Sequence, residues 1–168
     1  RITRLGIGYV PEERRIFSSL TVEENLIVGL KSQNKNGKDF WTIDKFYDMY
    51  PEIKKLSQQK GGHLSGGEQQ ILTIGRTLMG NPDLIMVDEP TEGLAPLLLE
   101  RIFQMLEEIK KSGTSILLVD NSITEAVKLA TKVYVISKGE VVFQGSSDEF
   151  TENKDIRQRY IEVSETDT

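Results

Sequence analysis

Short unbroken apolar runs alternate along the chain with stretches in which apolar residues recur every three or four positions, a pattern that predicts strands interleaved with helices. The first run, Gly6-Ile7-Gly8-Tyr9-Val10, is β-branched and aromatic and is stopped by Pro11, so it reads as a strand. Thr21 with Glu24 three residues later has the spacing of a capping box, and Val22, Leu26 and Leu30 share a helical face behind it. Asn34-Lys35-Asn36-Gly37-Lys38 is a turn cluster, after which helical spacing resumes over 40–50 until Pro51 breaks it. Ile71, Ile74, Leu78 and Met79 predict an amphipathic helix over 67–79, ended near Gly80-Asn81-Pro82.

The run Leu84-Ile85-Met86-Val87 is expected where both faces of a parallel strand are covered. Leu98, Ile102, Leu106 and Ile109 place a helix over 97–111, closed by two lysines and Gly113. A second buried strand, Ser115-Ile116-Leu117-Leu118-Val119, feeds Ser122-Ile123-Thr124-Glu125, read as another capping box, and a helix containing Ala126, Val127 and Ala130. Two short strands over 133–137 and 140–144 are expected to finish the sheet before a helical tail, with 163–168 frayed. Strands alternating with helices at this spacing give an α/β domain with a largely parallel sheet. The stretch 18–79 has no strand signal and reads as a helical subdomain inserted into that sheet. The sheet itself is drawn from 1–17 and 80–150, and 151–168 forms a C-terminal helix and tail.

Composition adds bounds. At 168 residues, 38% apolar and 28% charged, the chain suits one globular domain, and no run reaches the roughly 18 to 20 apolar residues of a membrane span. Any membrane attachment is expected to come through a partner. A net charge of −5 argues against a nucleic-acid footprint, and the lack of cysteine leaves no disulfide or thiolate metal site, in keeping with a cytoplasmic setting. The opening residues lack both signal-peptide features and an initiator Met, so a longer gene product is expected.

Two motifs carry chemistry. In Leu64-Ser65-Gly66-Gly67-Glu68-Gln69-Gln70, the amides of Ser65, Gly66 and Gly67 and the Ser65 hydroxyl lie just before a helix, where an anion such as a nucleotide γ-phosphate is favoured. The plainer reading of Ser-Gly-Gly is a flexible helix entry. Asp88 and Glu89 follow the apolar run directly, beyond the carboxyl end of a strand, where ligands of open α/β sheets bind. There Asp88 would hold Mg2+ through a coordinated water and Glu89 would polarise the attacking water. In isolation the pair could equally be a solvated strand end.

With Pro90 and the turn at Glu92-Gly93-Leu94, these motifs in this order resemble the ABC ATPase family along essentially the whole chain. The resemblance implies a P-loop NTPase sheet with the N-terminal portion absent, ATP and Mg2+ as cofactors, and a head-to-tail dimer with a second ABC ATPase subunit. In such a dimer the signature residues Ser65, Gly66, Gly67 and Glu68 close over the other subunit's ATP. It implies Glu89 as catalytic carboxylate, Asp88 as the Mg2+-linked aspartate, residues 92–96 as a dimer-contacting turn, and 12–20 as a loop sensing nucleotide and a transmembrane permease. Tyr9-Val10-Pro11-Glu12 with Arg14-Arg15-Ile16-Phe17, then Leu20-Thr21-Val22-Glu23-Glu24-Asn25-Leu26, and Glu92-Gly93-Leu94-Ala95-Pro96 resemble the branched-chain amino-acid importer branch. A urea or amide importer and a soluble non-transport ATPase are the alternatives. The setting implied is the inner face of the cell membrane.

Three departures from the family pattern matter. No Gly-rich loop ending Gly-Lys-Ser or Gly-Lys-Thr occurs, nor an adenine-stacking aromatic, so these residues alone are expected to bind ATP poorly and hydrolyse it hardly at all. Glu12 stands where the family often has a glutamine touching Mg2+ and water; it can ligate the ion or simply end the strand. Asn121 stands where the family has a switch histidine, and an amide hydrogen-bonds phosphate without carrying a proton; the alternative is a plain turn residue. His63 reads as structural. Arg14 and Arg15 read as partner surface rather than phosphate ligands. Trp41, Phe40 and Phe46 read as core of the helical subdomain.

Overall fold

The computed structural model describes residues 5–31 and 41–160. The predicted turn at 34–38, Phe40 and the tail 163–168 lie outside the described residues. The chain forms two compact units, divided between Asn121 and Ser122.

In the first unit, β1 (Ile7–Val10), β2 (Leu84–Asp88) and β3 (Ser115–Val119) form a parallel sheet with β2 central. Tyr9 lies opposite Met86, and Met86 opposite Leu117, so these three side chains share one face. Val10, Ile85 and Val87 share the other and are buried. That face meets α4 (Gly66–Leu78), because a Cβ on Gly8 would collide with Thr77 and Pro82. The helix α5 (Pro96–Lys111) packs against β3 and buries Ile102, Met105, Leu106 and Ile109.

The sequence expectation that β2 and β3 are covered on both faces does not hold within this unit. Tyr9, Leu117 and Val119 are about half exposed, because the described helices of the unit pack on one side of the sheet only. An unbroken apolar run records the residue types of both faces, and cannot say which elements cover each.

The helical part contains α1 (Val22–Gly29), α2 (Ile43–Met49), α3 (Pro51–Lys55) and α4. The Thr21–Glu24 capping box is formed as predicted. Pro51 ends α2 but also opens α3 at its first position, where its missing N–H costs nothing. Leu26, Phe46, Ile53, Leu72, Ile74 and Leu78 are fully buried, and Trp41 is almost so. Close approach depends on small residues on α4. A Cβ on Gly75 would collide with the Phe46 ring.

The second unit holds α6 (Ile123–Leu129), the antiparallel hairpin β4 (Lys132–Ser137) and β5 (Glu140–Ser146), α7 (Ser147–Glu152) and α8 (Lys154–Tyr160). The hairpin is a two-stranded sheet of its own and does not finish the parallel sheet as expected. Lys138 and Gly139 both have positive φ, at 52° and 83°, so a two-residue turn closes the pairing locally. The capping box expected at Ser122 is not made; Ser122 has no side-chain cap bond, while Ser146 and Glu149 form one at the start of α7. No helix among the described residues is long and apolar enough to cross a membrane.

Candidate functional site

Glu89 continues the ladder beyond β2, its N–H donating to Val119 O at 2.8 Å, and then turns with φ +40°. A left-handed backbone at a glutamate carries strain and re-aims the side chain at the strand end, a placement typical of functional positions. Asn121, after β3, donates from Nδ2 to Glu89 Oε2 at 3.2 Å. Parallel pairing thus brings together two residues far apart in sequence. Tyr9 donates its hydroxyl to Asp88 Oδ2 at 3.1 Å, orienting the neighbouring carboxylate.

Carboxylates crowd this edge. Glu92 raises the Glu12 pKa, first as a neighbouring hydrogen-bonding carboxyl and then through its charge, and partial desolvation and the charges of Glu89 and Asp88 add to it. The Glu89 carboxyl is also raised, by desolvation first and then by the hydrogen bond to Glu92 and the charges of Glu92, Asp88 and Asp120. Such crowding is electrostatically costly without a cation, so the donor set fits a hard divalent ion such as Mg2+. Among the described residues no group of three or more carboxylate or imidazole ligands forms a closed metal cage. Mg2+ commonly takes one or two carboxylates and completes its shell from water and phosphate oxygens. Asp88 and Glu12 are the residues that would serve it.

The signature residues start α4. Ser65 is its N-cap, and Glu68 completes a capping box: the Ser65 N–H and hydroxyl both donate to Glu68 Oε2, each at 2.7 Å. Sequence reading assigned the hydroxyl to an anion and overlooked this bond, although Ser65 and Glu68 have the capping-box spacing. In this structure the Glu68 carboxylate occupies the hydroxyl's attention. Gly67 is buried against Leu98 of α5, where a Cβ would collide with the leucine side chain. His63 is exposed in a short 3-10 turn.

The loop after β1 is more structured than its polar composition suggested. Arg14 is left-handed at φ +42°, and its Nη2 donates to Glu92 O at 2.6 Å. Arg15 is exposed and pairs with Glu13, while its carbonyl accepts from Arg76 of α4. Arg14 is half-buried and is engaged within the chain by this bond. Further along, buried Asn25 accepts from Phe17 N and donates to the carbonyls of Phe17, Leu20 and Thr21. Thr91 donates to both oxygens of Asp120, at 3.0 and 2.8 Å, tying the post-β2 turn to the end of β3. Tyr9 and Glu92 stood in motifs that gave them no role in this cluster, and Thr91 and Asp120 stood in none; tertiary pairing brings all four together.

A cavity of about 370 Å3 lies elsewhere, lined by Tyr9, Phe17, Val28, Lys31, Arg76 and Thr77 among others and by none of these carboxylates. Asp88 and Glu89 lie instead at the carboxyl end of the central strand β2.

The sequence pattern described as ABC transporter matches residues 1–92. The high-affinity branched-chain amino acid transport ATP-binding protein BraG of Pseudomonas aeruginosa is 39% identical over 160 residues, covering 95% of this chain and 68% of BraG. The lipopolysaccharide export system ATP-binding protein LptB of Escherichia coli K12 is 30% identical over 160 residues, covering 94% of this chain and 66% of LptB. The chain thus spans about two thirds of the length of these curated relatives. An ATP-binding cassette of an ABC transporter, solved in its ADP conformation, superposes with a TM-score of 0.76 at 26% identity, covering 99% of this chain and 70% of that one. A dimeric cassette in a post-hydrolysis state, bound to ADP and phosphate, gives 0.67 at 25% identity, with 84% and 62% covered.

Proposed function

The chain belongs to the ABC transporter ATP-binding family, and we propose that the full-length protein is the ATP-hydrolysing, energy-coupling subunit of an importer for branched-chain amino acids. One observation carries the catalytic assignment: Glu89 is held at the end of β2 in a left-handed turn and hydrogen-bonded by Asn121, with Asp88 beside it. Phosphoryl transfer to water needs an oriented nucleophile and offset charge more than covalent help. Glu89 would polarise the attacking water. Asp88, oriented by Tyr9, and Glu12 would serve Mg2+, which when bound offsets charge on the phosphates.

The signature edge, Ser65 to Glu68, stands at the surface-facing start of α4, and in this reading it closes over ATP held by a second subunit. The dimeric relative bound to ADP and phosphate supports such an assembly. A permease would provide the membrane attachment, placing the protein on the inner face of the cell membrane. The higher identity to BraG favours branched-chain amino acids as solute, while the likeness to LptB makes export the competing outcome.

Glu89→Gln in the full-length protein tests the assignment. ATP binding should persist while turnover falls at least about 100-fold, the scale expected when a water-orienting group is lost. Unchanged turnover would remove Glu89 from the mechanism. Uptake of labelled leucine by membranes containing the protein and its permease tests the solute, and absence of ATP-dependent uptake would overturn that part.

A further inference from the structure

The guanidinium of Arg14 lies between two glycines of different motifs. A Cβ built on Gly66, in the signature, would come 2.5 Å from Arg14 Nη1, and one on Gly93, in the turn after β2, would come 3.7 Å from Nη2. Nη2 is also hydrogen-bonded to Glu92 O at 2.6 Å. One planar fork therefore faces both segments at once, which a lysine ammonium cannot do. Gly66 leaves room for the fork, since a side chain there would push it away.

The backbone around Arg14 is built to aim it. Arg14 N donates to Glu12 O at 2.9 Å, Ile16 N donates to Arg14 O at 2.8 Å, and Arg14 itself is held at φ +42°. The next carbonyl, of Arg15, accepts from Arg76 farther along α4. A cation beside the start of a helix opposes the helix dipole, so its place there is not explained by the stability of α4.

We infer that Arg14 is a positioning residue, which fixes the start of the signature helix relative to the Glu92–Gly93 turn. Resting on the ATPase reading above, the inference gives this strap a role in turnover. The signature, which would face the other subunit's nucleotide, and the turn, which would contact that subunit, are kept in register by one side chain from the loop after β1. Displacement by even an ångström would misplace the groups that complete the second subunit's site.

The test uses the full-length protein with Arg14→Ala and Arg14→Lys, each measured for kcat, KM for ATP and melting temperature. The alanine variant should lose at least ten-fold in kcat, with KM within two-fold of wild type and the melting temperature unchanged. Lysine should not restore turnover, because its single ammonium cannot both donate to Glu92 O and lie against Gly66 as the planar fork does. Should Arg14→Ala not fold, Arg14→Gln keeps one planar amide donor for Glu92 O and is read by the same split. A wild-type kcat in the alanine variant, or a rise in KM with kcat preserved, overturns the inference. Full turnover in Glu89→Gln, or none in wild type, instead sinks the ATPase reading and the inference with it.

Discussion

Asn121 donates through Nδ2 to Glu89 Oε2 across 3.2 Å, joining the loop after β3 to the residue just beyond β2. The acceptor is a carboxylate, so the amide nitrogen must face it, and this contact adds no titratable group to the carboxylates of Glu92, Asp88 and Asp120 that already surround Glu89. Asn121 therefore orients Glu89 and supplies no proton.

From that bond follows the first expectation. Asn121→Ala in the full-length protein should lower kcat about ten-fold with little change in KM for ATP, since it frees the rotamer of Glu89 but touches no ground-state contact. Steady-state kinetics at saturating and limiting ATP check it; a variant with wild-type kcat would show that the bond does not position the carboxylate.

Thr91 and Asp120 bind each other more tightly, through one hydroxyl and both carboxylate oxygens. Thr91 is buried at 6% exposure. Thr91→Val keeps the shape and removes the donor, and should destabilise the fold by about 1–3 kcal/mol. Denaturant titration measures this. A midpoint equal to wild type would mean that the turn is held by other contacts.

Asn25 makes one accepted and three donated bonds that shape the loop before α1 while itself fully buried. Asn25→Leu leaves the Phe17 N–H and three carbonyls without this partner, at a cost of about 2–4 kcal/mol. Thermal unfolding reads the loss, and hydrogen exchange should rise first across 17–21. Unchanged protection there would contradict the stapling role.

The carboxylates give a pH dependence of definite sign. Glu12 and Glu89 are both raised above the ordinary carboxylate range, chiefly by Glu92 for the first and by desolvation for the second. Their protonated forms are favoured in the fold, so their contribution to stability is complete below the unfolded value, about 4.3, and is lost as pH rises through the folded values. Glu92→Gln should therefore raise the melting temperature at neutral pH and leave it nearly unchanged in acid. A divalent cation should narrow the gap. Equal shifts at both pH values would rule out carboxylate crowding as the cause.

Local signals were decisive for part of this molecule. The apolar run before Asp88, the 3.6-residue stripes of α4 and α5 and the Thr21–Glu24 box fixed those elements because each depends on neighbours in the chain. The signature and the Asp88-Glu89 pair were legible for the same reason, their residues being contiguous. The Ser122 box failed, and the hairpin over Lys132–Ser137 and Glu140–Ser146 paired with itself rather than with the parallel sheet. Strand run and spacing do not encode a pairing partner. Parallel register alone set Asn121 against Glu89, Tyr9 against Asp88 and Thr91 against Asp120. The same is true of Arg14, which the sequence reads as partner surface and whose guanidinium the tertiary structure sets beside Gly66 and on Glu92 O. A long side chain in a loop has many solvated conformations, and only the groups packed around it select one.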